Sequence, residues 1–176
     1  MAMKMLDAGG VPILTDGVRA ADESNPKGYY EFEPVKGLDK DGEMAWLAGA
    51  RGKAVKIISF LLTYLPDTFD YNVVFMNRDI DEVLASQNKM LVSRGERADS
   101  SDDAHMRQVY RKHLDKVGRF LHRACFSTLQ VGYRDVIENP AAEARRINEF
   151  LGGRLNVERM QAVADRELYR NRKPNS

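Results

Sequence analysis

Residues 72–86 read NVVFMNRDIDEVLAS, and this stretch decides the fold. Its first five residues predict a strand, because the β-branched and apolar run that follows Asn72 is typical of a strand covered by helices on both faces. Apolar residues then recur at near-helical spacing, and Asp79 can cap or charge-stabilise the start, so a helix is predicted over 79–94. A strand followed at once by a helix predicts a βα unit.

Strand and helix signals alternate along the rest of the chain. Residues 54–58 and 127–131 have the composition of further strands, and residues 103–124 carry an apolar stripe at helical spacing. A first helix ends at Gly9, and a later one begins with a proline after Asn139. Strands separated by helices predict an α/β fold with a central parallel sheet in a three-layer α/β/α arrangement.

Composition limits the classes of protein that this chain can represent. Its 176 residues, 43% of them hydrophobic, are enough for one domain over 1–176 with a sizeable core. The 27 Lys and Arg nearly balance the 26 Asp and Glu, so the net charge of +1 favours neither nucleic acid nor a membrane as partner. The single cysteine excludes an intrachain disulfide, and the lack of a long apolar run or signal-peptide pattern predicts a cytoplasmic protein.

The carboxyl end of the 72–76 strand is the predicted binding site. Ligands of such sheets lie at the carboxyl ends of the strands, where a helix N-terminus offers free backbone N–H groups to a phosphate. Arg78 stands there, and Ser86 projects from nearly the same side of the helix about 10 Å further along. A guanidinium and a hydroxyl would therefore flank one anion. The alternative is that Arg78 pairs with Asp81 or Glu82 and that Ser86 is a small surface residue.

Residues 72–86 resemble the strand-to-helix motif of the sulfotransferase family. In that motif an Arg and a Ser eight residues apart bind the 3′-phosphate of the nucleotide, and the matching positions are Arg78 and Ser86. The resemblance implies a P-loop NTPase-like fold and 3′-phosphoadenosine 5′-phosphosulfate as the co-substrate, with no metal. It also implies that a basic C-terminal segment containing Arg170 reaches the nucleotide, with a solvated chain end as the alternative.

A second segment, residues 131–140 (VGYRDVIENP), is similar to the family's Tyr-x-Asp and Asn-Pro sequence, and Phe-Leu-Gly follows at 150–152. The resemblance places Tyr133 among the nucleotide-binding residues. The alternative for Tyr133 and Asp135 is structural, with the tyrosine an aromatic residue at a strand end and the aspartate a helix cap. Both interpretations stay open at the level of sequence.

The predicted catalytic residues are Lys56, Glu31 and Glu33. Lys56 falls where the family has a lysine in a strand, and the resemblance places it near the bridging oxygen of the co-substrate. The histidine that usually serves as base two residues later is Ile58 here, and an aliphatic side chain cannot accept a proton. A loop carboxylate, Glu31 or Glu33, is the candidate base, with a solvated loop as the alternative for each.

The start of the chain departs most from the family. Members open with a strand and a Gly-rich loop that holds the 5′-phosphosulfate, whereas residues 1–6 align with the helix that follows that loop. We therefore expect a sulfotransferase-like domain that is incomplete at its N-terminus and lacks the first strand. An upstream segment, a neighbouring chain in a homodimer, or a rearranged sheet would fill the slot that this strand leaves.

The predicted function is transfer of a sulfuryl group to a hydroxyl or amine acceptor, which is a small molecule or a glycan. A P-loop nucleotide or small-molecule kinase is the second hypothesis, although the sequence has no Gly-Lys-Ser or Gly-Lys-Thr loop. A non-catalytic nucleotide-binding or self-associating remnant is the third. His113, on the apolar stripe of 103–124, is expected to be a core or near-site histidine, with a replacement base as the alternative.

Overall fold

A computed structural model describes residues 1–17, 29–40, 44–93, 95 and 103–164 of the chain. These residues form a mixed α/β structure with eight α-helices, a 3-10 helix at Glu33–Gly37 and two β-strands. The α-helices are Ala2–Ala8 (α1), Trp46–Gly49 (α2), Ser59–Leu62 (α3), Ile80–Ser93 (α4), Asp103–Leu121 (α5), Tyr133–Glu138 (α6), Pro140–Phe150 (α7) and Val157–Ala162 (α8). The strands are Tyr71–Asn77 (β1) and Phe126–Gly132 (β2).

The two strands pair in parallel, and every residue of β1 has a partner in β2. Tyr71 lies opposite Phe126 at the start of the ladder, and Asn77 lies opposite Gly132 at its end. The chain passes from β1 to β2 through α4 and α5, as a parallel crossover requires. The predicted strands at 72–76 and 127–131 are therefore confirmed, as is the βα unit that Tyr71–Asn77 forms with Ile80–Ser93.

The predicted strand at 54–58 is wrong as a strand, because the described residues there form only one bridge. Ile13 pairs in parallel with Ala54. The Leu14 N–H donates to Ala54 O at 2.9 Å, and the Ala54 N–H donates to Pro12 O at 2.8 Å. The backbone is still extended at Ile58, with φ −73° and ψ 147°, just before α3. The apolar pattern thus marks an extended segment that packs like a strand without forming a ladder.

Two hydrophobic cores lie on the two faces of the sheet. Alternate β1 residues divide between them, with Val73 and Phe75 on one side and Val74 and Met76 on the other. We call the first the α3–α5 core; its buried residues are Val35, Leu38, Leu47, Leu62, Leu65, Val117, Leu121 and Phe126. We call the second the α7–α8 core; its buried residues are Met5, Leu6, Val131, Val136, Ala144, Ile147 and Met160.

Local sequence explains where the helices around the sheet begin and end. The Asp79 carboxylate accepts the Asp81 N–H at 2.8 Å, so the predicted cap of α4 is confirmed. Asn156 caps α8 in the same way, by accepting the Arg159 N–H at 2.9 Å. Gly9 is the C-cap of helix α1, and Gly10 follows with φ 95°, a conformation that favours glycine. Across the described ranges, no helix has both the length and the apolar character needed to cross a membrane.

Candidate functional site

Arg78 and Tyr133, two of the predicted nucleotide-binding residues, meet at the carboxyl end of the sheet. Each directly follows the last residue of a strand, and those last residues, Asn77 and Gly132, are partners in the ladder. The Arg78 guanidinium carbon lies 4.9 Å from the centroid of the Tyr133 ring. A cation over an aromatic face at this distance is an attractive contact. The parallel ladder therefore brings together residues that are 55 positions apart in the sequence.

The Arg78 side chain is oriented by a carboxylate of the helix that follows it. Its Nε donates to Glu82 Oε2 at 3.2 Å, and the Glu82 side chain is only 7% exposed. The pairing of Arg78 with Glu82, which the sequence left open as an alternative, is thus present. Within the part of the chain that the structure describes, the two terminal nitrogens of Arg78 make no hydrogen bond or ion pair. A guanidinium held through Nε can offer these nitrogens together to one anion.

Ser86 lies on α4, four residues beyond Glu82 and eight beyond Arg78. A spacing of four places Ser86 next to Glu82 on one face of the helix, about 6 Å further along its axis. The Ser86 side chain is partly exposed. Its hydroxyl is therefore on the side of α4 that carries the carboxylate bonded to Arg78.

Gly132 and Asp135 fix the start of α6, the helix whose first residue is Tyr133. A Cβ on Gly132 would collide with the Asp135 carboxylate, which lies directly against this residue. Asp135 is also the acidic residue of the first turn of α6, where a negative charge is favourable. The N-cap of α6 is Gly132 and no side chain caps this helix, so Asp135 is not the helix cap that the structural alternative predicted; its charge instead lies in the first turn. Tyr133 itself is at a strand end, as that interpretation expects, and it also contacts Arg78.

Lys56 and Glu31, two of the three predicted catalytic residues, also come together. The Lys56 ammonium donates to Tyr29 O at 3.0 Å and lies 3.6 Å from Glu31 Oε1. The same ammonium is 5.8 Å from the centroid of the Tyr29 ring. The Lys56 side chain is 35% exposed, so a ligand can still reach its charge. The Met1 amine lies near this cluster, and its pKa falls to about 6 because of burial first, and then because of Lys4 and Lys56.

The other predicted site residues lie elsewhere. Glu33 is at the surface, where its carboxylate accepts a hydrogen bond from Lys36 at 2.8 Å. Ile58 is 55% exposed and immediately precedes α3. Arg170 lies outside the described residues. Among the described residues, no group of three or more His, Cys, Asp or Glu side chains is placed to hold a metal ion.

One contact that the sequence did not predict joins Ser59 to His113. The His113 Nε2 and Ser59 Oγ atoms are 2.9 Å apart, although the residues are 54 positions apart. The Phe60 ring stacks on His113 with a centroid distance of 3.8 Å and an interplanar angle of 7°. The apolar stripe of α5 predicted a core or near-site histidine, and His113 is partly buried; no sequence signal identified Ser59 as its partner.

Comparison of this chain with protein-family models, with curated proteins and with solved structures finds no match.

Proposed function

We propose that this chain is a sulfotransferase-type domain with a P-loop-like α/β architecture. It binds 3′-phosphoadenosine 5′-phosphosulfate and transfers the sulfuryl group to a hydroxyl or amine acceptor. The observation that carries the proposal is the convergence of Arg78 and Tyr133 at the shared carboxyl end of two paired parallel strands. This edge is where ligands of parallel sheets bind.

The arrangement around Arg78 suits a phosphate monoester. Glu82 occupies the Nε of the guanidinium, so the two terminal nitrogens remain as a paired, charge-assisted donor. Ser86, one helical turn beyond Glu82, adds a neutral donor without further charge. In this proposal, Arg78 and Ser86 bind the 3′-phosphate, and Tyr133 packs against the guanidinium and holds it in place.

Lys56 has a separate role in the proposed reaction. The leaving phosphate gains negative charge as the sulfuryl group departs, and a fixed ammonium stabilises that charge. Glu31 and the Tyr29 carbonyl oxygen hold the Lys56 ammonium, so Glu31 acts as a positioning residue. Because the Glu31 carboxylate contacts the Lys56 ammonium, we assign it this positioning role and do not assign it the role of the base. Glu33, at the surface with Lys36, has no role in this proposal.

Nucleotide binding tests the proposal directly. Isothermal titration calorimetry with adenosine 3′,5′-bisphosphate should show binding that exceeds binding of ATP with Mg²⁺. The change Arg78→Lys should weaken the bisphosphate about 10-fold or more, because lysine cannot form the paired hydrogen bonds. Ser86→Ala should weaken it by a smaller factor, in keeping with one neutral hydrogen bond.

Arg134 supplies a matched control. It pairs through Nε with Glu138 four residues later at 2.7 Å, as Arg78 pairs with Glu82, but both partners are half exposed. Arg134→Lys should leave the bisphosphate affinity unchanged. Equal losses in the Arg78 and Arg134 variants would contradict the proposed phosphate site. Preferential binding of ATP with Mg²⁺ would instead support the kinase hypothesis.

A further inference from the structure

A row of cations lies along the outer side of α5. Lys112, Lys116 and Arg119 are spaced by four and then three residues, so their side chains share one side of the helix and are about one turn apart. All three side chains are exposed. We call these three residues the cationic row. The row presents its positive charge to whatever approaches this side of the molecule.

The charge of the cationic row is not neutralised by its surroundings. Among the described residues, none of its three members makes an ion pair. Arg123 continues the row four residues further along, but it pairs with Asp67. The exposed Asp115 lies beside the row, and the exposed Arg111, one turn earlier, offsets its negative charge. This side of α5 is therefore positive.

Exposed apolar side chains border the cationic row. Val109 lies three residues before Lys112 and seven before Lys116, so it is next to the row on the helix surface. His113 lies three residues before Lys116, and the Phe60 ring of α3 stacks on it with a centroid distance of 3.8 Å. Phe60 is 50% exposed and Val109 is 39% exposed. We call the cationic row together with Phe60 and Val109 the docking surface.

Packing holds the Phe60 ring at this position. Besides its stack on His113, the ring contacts Tyr110 edge to face at 6.3 Å. The Gln87 amide nitrogen donates to the Tyr110 hydroxyl at 2.6 Å, which ties Tyr110 to α4. Ser59, the residue before Phe60, is held by its 2.9 Å contact with His113. One side of the Phe60 ring is thus fixed against the protein, and half of its surface faces solvent.

Cations beside exposed apolar side chains are the combination that binds an anionic membrane surface. Lysine and arginine are attracted by the negative headgroups, while aromatic and aliphatic side chains enter the boundary between headgroups and acyl chains. A nucleic acid attracts cations too, but its bases bind by stacking on aromatic rings. Val109 offers no ring, and neither does Ile58, which is 55% exposed two residues before Phe60. The docking surface therefore suits lipid better than nucleic acid.

We propose that the docking surface binds an anionic lipid bilayer, with Phe60 and Val109 in the headgroup region and the cationic row against the headgroup charges. The chain then lies on the membrane without crossing it. The near-zero net charge predicted no membrane partner, but it sums charges wherever they lie, whereas the structure places three cations on one side of α5. This inference goes beyond the proposed sulfuryl transfer and does not depend on it.

Vesicle sedimentation with the parent chain tests the inference. The probes are vesicles of phosphatidylcholine alone and vesicles that also contain about 30% phosphatidylserine, which carry a negative surface potential. We expect binding to the anionic vesicles to be about 10-fold tighter or more. This binding should weaken as NaCl rises from about 0.05 M to about 0.5 M, because salt screens charges at the surface.

Variants of each part of the docking surface should weaken binding to the anionic vesicles. The double variant Lys112→Gln and Lys116→Gln should bind about 25-fold more weakly, since each cation near an anionic surface contributes about fivefold. Phe60→Ser should bind about 10-fold more weakly, because the half-exposed ring no longer enters the bilayer. The circular dichroism spectra of these variants should match that of the parent chain.

Arg145 and Arg159 supply a matched control on the opposite side of the sheet. They lie on α7 and α8, and both are exposed. The double variant Arg145→Gln and Arg159→Gln removes as much positive charge from the chain as the double lysine variant does. It should bind the anionic vesicles as tightly as the parent chain.

Three results would overturn the inference. Equal losses in the two double variants would show that net charge, and not the docking surface, controls binding. Unchanged binding of the Phe60→Ser variant would show that no side chain enters the bilayer there. Binding of a single-stranded DNA oligonucleotide, measured by fluorescence anisotropy, without binding to the anionic vesicles would assign the cationic row to nucleic acid instead.

Discussion

The hydrophobic cores on the two faces of the sheet differ in how completely their residues are buried from solvent. Six of the seven buried residues of the α7–α8 core have no exposed surface, whereas every buried residue of the α3–α5 core retains a little. The α3–α5 side also carries the half-exposed Phe60 ring, which stacks on His113, and the contact between Ser59 and His113. A core whose residues are fully buried has less room to relax around a cavity, so we expect a truncated side chain to cost more stability in the α7–α8 core than in the α3–α5 core.

A large-to-small change in each core should give the largest effect and the clearest contrast. Ile147 is fully buried in the α7–α8 core, and Ile147→Ala should lower the free energy of unfolding by about 3 to 5 kcal/mol, through lost burial and a rigid cavity. Leu62→Ala in the α3–α5 core should cost about 2 kcal/mol, because neighbours near the surface can move into the space. Urea unfolding measures both values. Equal losses would contradict the difference between the faces.

Acidification should weaken the α7–α8 side through the amine of Met1, a residue that packs against that core. Burial lowers the folded-state pKa of this amine from 8.0 to about 6, so the unfolded chain binds more protons between these values. The resulting stability is fully present above pH 8 and is lost as the pH falls through about 6. We expect a loss of about 2 kcal/mol in the free energy of unfolding between pH 8.5 and pH 6.

N-terminal acetylation isolates the contribution of the amine. The lowered pKa of His113 acts in the same direction on the other face of the sheet, so the parent chain alone cannot separate the two groups. Acetylation removes the amine charge and leaves His113 unchanged. The pH dependence assigned to Met1 should then disappear from the urea unfolding curves. An acetylated chain with the same pH dependence as the parent would show that the amine is not buried in this way.

Substitution of two glycines by alanine tests how much space surrounds Gly9, next to the α7–α8 core, and Gly49, in α2. A Cβ on Gly9 would lie 2.9 Å from the Cγ and Sδ atoms of Met160, which is fully buried, so Gly9→Ala should destabilise the chain by about 1 to 2 kcal/mol. Gly49, in α2, has nothing within 4 Å of the same position. Gly49→Ala should raise stability by about 0.5 to 1 kcal/mol, because alanine favours a helix. Thermal unfolding of the two variants should therefore shift in opposite directions.

The smallest expected effect concerns a single hydrogen bond on the α3–α5 side. The Tyr71 hydroxyl donates to Pro66 O at 2.9 Å, and the Tyr71 ring stacks on Phe126 with a centroid distance of 4.9 Å. Tyr71→Phe removes the hydroxyl and keeps the stack, so it should cost about 1 kcal/mol of unfolding free energy. Burial raises the pKa of Tyr71 to about 12, and ultraviolet titration of the parent chain should show a late-ionising tyrosine that is absent from the Tyr71→Phe variant. A cost near zero would mean that water replaces the hydrogen bond.

Local sequence predicted those parts of the fold that depend on local physics. The β-branched run before Asn77 and the capping aspartate Asp79 each define an element without help from distant residues, and both predictions are confirmed. The segment after Ala54 has a similar composition but forms only one bridge. Whether an extended segment becomes a strand depends on hydrogen bonds with a neighbouring segment, and its own residues do not specify that neighbour.

The candidate site was predictable in a similar, partial way. The position of Arg78 at a strand-to-helix junction follows from the sequence, and a pairing with Glu82 four residues later was foreseen as an alternative. The contacts between Lys56 and Glu31 and between His113 and Ser59 each join distant segments. Such contacts depend on how helices and loops pack, so residue types alone could name the candidates but could not pair them.

The two strands of the parallel ladder end at paired residues, and this determines where the chain can gain or lose residues without moving Arg78 away from Tyr133. Asn77 and Gly132 are partners, so the distance between Arg78 and Tyr133 does not depend on how many residues connect the two strands. A longer or shorter connection between the strands could keep the same contact between Arg78 and Tyr133. A deletion of one residue inside either strand would instead turn the following side chains to the opposite face and separate the pair. Length variation is therefore expected to accumulate between the strands and to be absent within them.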